Sequence, residues 1–113
     1  MLHVVTLFTI KPDFEDAFAR SLRIGGDWHR LARSIAPNLV TADLLRHQLA
    51  PLFVCIDFWT SSEAYHAACN SQAVRYLLLE RRRMAASSFE LGAFSFPAMR
   101  ESRFDSEPCQ TSQ

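Results

Sequence analysis

The chain lacks an excess of charge of either sign: twelve Lys and Arg residues stand against twelve Asp and Glu. That balance argues against nucleic acid as the main partner and against adhesion to an anionic membrane. It also lacks any run approaching the ~18–20 consecutive apolar residues that a membrane span needs. The N-terminus shows neither a basic leader nor a secretion-type apolar stretch and enters a strand almost at once. Cysteine is scarce. Cys55, Cys69 and Cys109 form no CxxC, cannot all pair and support no structural zinc, so a reduced, cytoplasmic setting is expected. Lysine occurs once, at Lys11, and the other eleven basic residues are arginine. No carboxylate pair, Ser-His-Asp order, phosphate loop or metal-ligand spacing appears, which leaves no sequence case for a metal or a cofactor.

What is present is an ordinary globular composition, about half apolar and with nine phenylalanines, at a length that suits one core. The most informative stretch is Leu52 to Tyr65, LFVCIDFWTSSEAY. Its first part is rich in β-formers and apolar on both alternating sets, which predicts a strand covered on both faces. Thr60, Ser61, Ser62 and Glu63 then supply cap oxygens and a carboxylate for the first turn of a helix. A large aromatic, Trp59, is thereby fixed at a strand-to-helix junction.

The remaining elements follow by the same reasoning. Leu2 to Ile10 reads as a first strand, ended by Lys11-Pro12 with Asp13 as a helix cap. Phe14 to Ile35 follows helical spacing, and Gly25-Gly26 should break or bend it, since two glycines cost a helix interior roughly 2 kcal/mol. Asp27 is then a candidate cap for the second part. Leu39 to His47 is a second strand and Leu52 to Trp59 a third, paired as a hairpin. Ser61 to Cys69 and Gln72 to Ala86 are helices, and Phe89 to Phe96 is the last strand. The order is β-α-β-β-α-β, an α+β ferredoxin-like arrangement with a four-stranded antiparallel sheet. Residues 1–96 form the domain, and 97–113 a polar, mobile tail. Both long helices lie on one face of the sheet. The other face is also substantially apolar, and soluble monomers rarely expose such a surface, so a homodimer packed sheet to sheet is expected.

Taken together, Val4 to Pro12 with Phe14 and Phe18, Leu44-Leu45-Arg46, and Phe58-Trp59 followed by Ser62-Glu63-Ala64-Tyr65 resemble the antibiotic biosynthesis monooxygenase-like (ABM) family of dimeric α/β barrels. The segment from Trp59 to Tyr65 is similar to the family's W-x-S-x-x-A-[FY] pattern. The resemblance spans about residues 2 to 96. Members of that group differ in activity: some oxidise flat, electron-rich aromatic compounds to quinones with O₂ and no cofactor, others degrade haem, and others act on quinols or signalling molecules. Val5, Ala68 and Leu78 occupy the places where the haem-degrading branch needs asparagine, tryptophan and histidine, so that activity is not expected.

Carried over residue by residue, the quinone-forming branch would have Trp59 stack on the substrate and Tyr65 hydrogen-bond to it. Arg75 would offset developing negative charge. Cys55 stands where that branch has an asparagine, and a thiol cannot supply the same amide donors. Trp28 lies on the apolar stripe of the helix that would cover the pocket, as a core residue and a candidate substrate contact. Arg81, Arg82 and Arg83 read as a solvated helix end favoured by the helix dipole. His3, His29 and His47 read as surface or strand-end residues. The alternative function is a non-catalytic dimeric barrel that binds a small ligand or partner through the same pocket, and the missing asparagine favours it.

Overall fold

A computed structural model describes residues 1–97. The elements are β1 (Leu2–Ile10), α1 (Glu15–Leu22), α2 (Asp27–Ile35), β2 (Leu39–Arg46), β3 (Leu52–Trp59), α3 (Ser62–Cys69), α4 (Gln72–Arg82) and β4 (Ala85–Phe94). The four strands form one antiparallel sheet in the order β2-β3-β1-β4. This is the ferredoxin-like α+β fold expected from the order of elements.

Strand alternation sets the two faces. Leu2, Val4, Phe8 and Ile10 of β1 lie opposite or beside Phe53, Cys55 and Trp59 of β3, and all are buried beneath the helices. Phe18 and Leu22 of α1, Trp28 and Ala32 of α2, and Val74 and Leu77 of α4 complete this core. The opposite set, including Val5, Leu7, Val54, Ile56 and Phe58, is only half-buried, and exposed Leu45, Phe89 and Phe94 lie across from members of it.

The glycine pair breaks the first helical run, as its composition predicts. Gly25 has a positive φ of 85°. Gly26 packs so closely on α1 that a Cβ there would collide with the carbonyls of Arg20 and Ser21. Ser61 caps α3, accepting from the Ala64 amide at 3.0 Å, and Ser71 caps α4.

Three local expectations need correction. Asp13 does not cap α1; it takes a left-handed φ of 71°, which Asp tolerates better than most residues, and Phe14 occupies the cap position without a side-chain bond. Asp27 is the first residue of α2 rather than its cap, which is Gly26, and it pairs with exposed Arg30. Finally, α4 ends at Arg82 and β4 starts at Ala85, four residues earlier than its composition suggests. The cause is β1, whose Phe8, Thr9 and Ile10 need ladder partners and find them at Ser88, Ser87 and Ala85. The tail expected from residue 97 onward lies, beyond Pro97, outside the described residues, as does Cys109.

Candidate functional site

The helix-facing side of β3 presents Phe53, Cys55, Asp57 and Trp59 in succession, all buried. A carboxylate in that row demands a partner, because an unpaired charge in a core is very costly. The partner is Arg81 of α4. Its Nη1 and Nη2 donate to Asp57 Oδ1 and Oδ2 at 2.7 and 3.0 Å, with 5% and 3% of the two side chains exposed. The fork is the bidentate geometry that guanidinium and carboxylate share. Nη1 also donates to Cys55 Sγ at 3.2 Å, and the Cys55 thiol is 3.5 Å from Asp57 Oδ1. The guanidinium carbon sits 4.8 Å from the ring centre of Trp28 and 5.2 Å from that of Phe8. Both lie within cation–π range.

These surroundings fix the charges. Burial pushes the Cys55 thiol up to about 12, the nearby Arg81 opposing only part of the shift, so the sulfur stays protonated at neutral pH. Burial alone would lower the pKa of Arg81, but Asp57 and Cys55 outweigh it and the net shift is upward, so the guanidinium keeps its charge. The phenol of Tyr65 is also raised, first by burial and then by hydrogen bonding to Cys69; it can donate a proton in a hydrogen bond but does not ionise near neutrality.

Trp59 is buried, and its ring centre lies 5.5 Å from that of Tyr65 at a tilt of 59°. Two buried donors in this region have no acceptor: Trp59 Nε1 and Arg81 Nε. Leaving such a group unpaired costs about 1–3 kcal/mol, so each calls for an explanation. Trp28 is satisfied, its Nε1 donating to the Leu77 carbonyl at 2.9 Å. It also borders a cleft of about 470 Å³ that Phe14, Leu31 and Met84 line on the apolar side.

The residues named from sequence thus divide. Trp59 and Tyr65 come together, and Cys55 and Trp28 meet separately at Arg81. Arg75 does not: it is exposed, and its Nε donates to the Cys69 carbonyl at 3.0 Å. Arg81, expected on a solvated face, is instead buried at the centre of the cluster. Two signals pointed to it. Asp57 shares the inward alternation of Trp59, and Arg81 follows Val74 and Leu77 at helical spacing. The histidines serve local roles: His47 Nδ1 accepts from the amides of Leu49 and Ala50, and His29 Nδ1 from that of Gly25. Among the described residues no three His, Cys, Asp or Glu side chains gather as a metal site would require, and no helix is long and apolar enough to cross a membrane.

Sheet order and helix placement define a ferredoxin-like α+β protein with its core between the sheet and the helices. The chain belongs to the antibiotic biosynthesis monooxygenase family, whose model matches residues 1–77. Its fold is similar to that of SnoaB, a cofactor-independent oxygenase from Streptomyces nogalater. The identity is 24% over 87% of this chain and 94% of that one, with a TM-score of 0.59. It is similar also to a solved structure described as an antibiotic biosynthesis monooxygenase (22% identity, 88% and 100% coverage, TM-score 0.58). A third similar structure is a putative family member from Deinococcus radiodurans (9% identity, 88% and 96% coverage, TM-score 0.62). At these identities the likeness carries the fold alone. No curated protein matches the chain.

Proposed function

We propose that this chain is a cofactor-independent monooxygenase that acts on a small, flat, electron-rich aromatic compound, with Trp59, Tyr65 and Arg81 as the residues that would meet it. The observation that carries the reading is the pair of buried, unpartnered donors, Trp59 Nε1 and Arg81 Nε, in an aromatic surround. Donors held without an acceptor are what a substrate oxygen gaining negative charge requires, because they are already oriented when the charge develops. The cleft beside Trp28 is within the size range of small-molecule pockets, and the Trp28 ring that borders it also lies against the Arg81 guanidinium.

The chemistry asks little else of the protein. Loss of a proton from the substrate to solvent gives a resonance-stabilised anion, which transfers an electron to O₂. The radical pair combines to a peroxide anion that takes a proton back from solvent, and the hydroperoxide then loses water, breaking its O–O and C–H bonds, to leave a carbonyl on the ring. One oxygen atom is retained and one leaves as water. Trp59 would stack on the ring, Tyr65 would donate to a ring oxygen, and Arg81 would take the charge-offsetting role first given to Arg75. Two copies would pack through their open sheet faces, each keeping its own site under its helices.

Oxygen uptake with a panel of anthrones and dihydroxynaphthalenes tests the reading. Turnover is expected in the wild type, with losses of about 10²-fold or more in kcat for Arg81→Met and Trp59→Ala, the scale seen when one oxyanion donor is removed. No uptake by the wild type, or rates unchanged in both variants, would sink it. Saturable binding of the same compounds without uptake would mark the chain as a binding module. The engagement of Cys55 with Arg81 and Asp57, in place of an amide aimed at substrate, favours that second reading.

A further inference from the structure

Three hollows adjoin on the surface formed by α1, α2, α4 and the start of β4. The cleft beside Trp28 shares Ser21, Asp27 and Met84 with a hollow of about 460 Å³ at the α1–α2 elbow. It shares Arg83 with a smaller one, of about 280 Å³, between the end of α4 and the start of β4. The cleft is thus the middle of a longer groove. Phe14, Leu31 and Met84 make that middle apolar, and Leu79 carries the apolar character into the smaller hollow. Phe14 and Leu79 stay exposed despite their size. Apolar side chains grouped on one surface and rimmed by charge mark an interaction site, which the same residues scattered singly would not. None of the apolar residues of the open sheet face lines the groove, so pairing of two sheets would not draw on it.

Charge on the groove is uneven, although the chain as a whole balances. Arg20, Arg23 and Arg30 line the elbow end and Arg82 and Arg83 the other, against two carboxylates, Asp27 and Glu80. Each carboxylate is already engaged, Asp27 by Arg30 at 2.6 Å and Glu80 by Arg83 at 2.8 Å. Among the described residues Arg20, Arg23 and Arg82 have no acidic partner within salt-bridge distance. Unpaired cationic charge therefore stands at both ends of an apolar middle. The end of α4 sets a partial negative charge near Arg82, but that effect is confined to the last turn and is weaker than a charge-assisted pair. Arginine is also weakly hydrated for a cation and meets carboxylates through a planar fork, which suits it to an interface.

The occupant follows from this layout. One small molecule would fill a single hollow, whereas the charge and the apolar surface are spread over three. A membrane surface is flat and does not follow a groove. We infer that the groove docks an acidic, amphipathic segment of a partner protein. Large apolar side chains of that segment lie over Phe14, Leu31 and Met84, and its carboxylates reach Arg20 and Arg23 at one end and Arg82 at the other. An amphipathic segment laid into an apolar groove is a recurrent mode of peptide recognition, and the flanking charges set its direction of preference. Docking there is separate from the proposed reaction and shares only the cleft with it.

Fluorescence anisotropy tests this with a labelled synthetic peptide that carries phenylalanine and leucine between two blocks of glutamate. Control peptides have glutamine or lysine in place of every glutamate. Wild type is expected to bind the glutamate peptide at least about tenfold more tightly than the glutamine peptide, a preference that shrinks as salt is raised. Arg20→Glu and Arg82→Glu should each weaken it about fivefold, and the two together should transfer the preference to the lysine peptide. Both positions are exposed, so neither change is expected to disturb folding. Leu79→Ser should instead weaken the glutamate and glutamine peptides alike. No binding of the glutamate peptide, or equal binding of the glutamine peptide, would overturn the inference. Affinity unchanged in both arginine variants would do so too, since the peptide would then sit elsewhere. A peptide with one acidic block that binds as tightly as the full one would overturn docking at both ends. Binding to phosphatidylglycerol vesicles that both arginine variants abolish, with no peptide bound, would overturn it in favour of a lipid surface. Oxygen uptake is not among these readouts, so failure here leaves the proposed reaction standing.

Discussion

The thiol of Cys55 sits between a guanidinium and a carboxylate with none of its surface exposed, and its protonation is coupled to stability. Burial raises its pKa from 9.0 to about 12. Between those values the unfolded chain has lost the proton while the folded chain retains it, so folding takes up a proton and stability falls as pH rises. The contribution is fully present below pH 9 and is lost on the way to pH 12, at about 1.4 kcal/mol per pH unit from this one group. Chemical denaturation of wild type and Cys55→Ala across that range should give curves that converge with increasing pH. Parallel curves would mean that the thiol does not titrate late. Cys55 stands in the middle of the apolar run Leu52–Trp59, which suits a core residue, yet its company was not legible. Asp57 gave the hint, as a single carboxylate in an apolar strand, whereas Arg81 was camouflaged by Arg82 and Arg83. Local composition describes a run of arginines as solvated; only the meeting of α4 with β3 shows that the first of them is not.

At the scale of elements, the α1–α2 elbow sets where Trp28 stands against Arg81. Gly26 lets the chain pass against the α1 carbonyls, and the Trp28 amide then donates to Ser21 Oγ at 3.2 Å. Gly26→Ala should lower stability by about 1–3 kcal/mol, the cost of overpacking, and should weaken ligand binding because Trp28 shifts with α2. At Gly25 no atom crowds a new Cβ, so Gly25→Ala meets only the penalty for a positive φ, about 1–2 kcal/mol. Thermal melts and naphthol titration of the two variants separate the effects: both melt lower, and Gly26→Ala alone loses affinity. Equal affinity losses would count against the elbow as the support of Trp28. The glycine pair was readable because its cost to a helix is intrinsic to the residues. So was β3, whose ends in the structure coincide with the apolar run Leu52–Trp59. The start of β4 was not readable, since Ala85, Ala86, Ser87 and Ser88 carry no strand preference of their own and are drawn into the sheet by pairing with β1.

For the molecule as a whole, the sheet poses a problem that the helices solve on one side only. The other side carries Val5 and Leu7 on β1, Val54, Ile56 and Phe58 on β3, Leu45 on β2, and Phe89 and Phe94 on β4. Loops alone do not cover it, and an apolar face of this breadth is the mark of an association surface. A second copy is the partner we propose, because two such faces are alike in shape and apolar character and can meet about a two-fold axis. The centre of the face is β3, flanked by β2 and β1, so Ile56 would lie near the middle of the interface. There Ile56→Arg would place a charge against its own symmetry mate, whereas at the rim Asp43, already exposed opposite Ile56 on β2, keeps its water. Light scattering coupled to size exclusion should give twice the 12.9 kDa chain mass for wild type and the single mass for Ile56→Arg. Because Ile56 points away from Cys55, Asp57 and Arg81, the monomeric variant should still bind naphthol if each site is complete within one chain. A wild-type monomer at micromolar concentration would refute the interface. A monomeric variant that binds no ligand would instead show that the two sites depend on the pairing of the sheets.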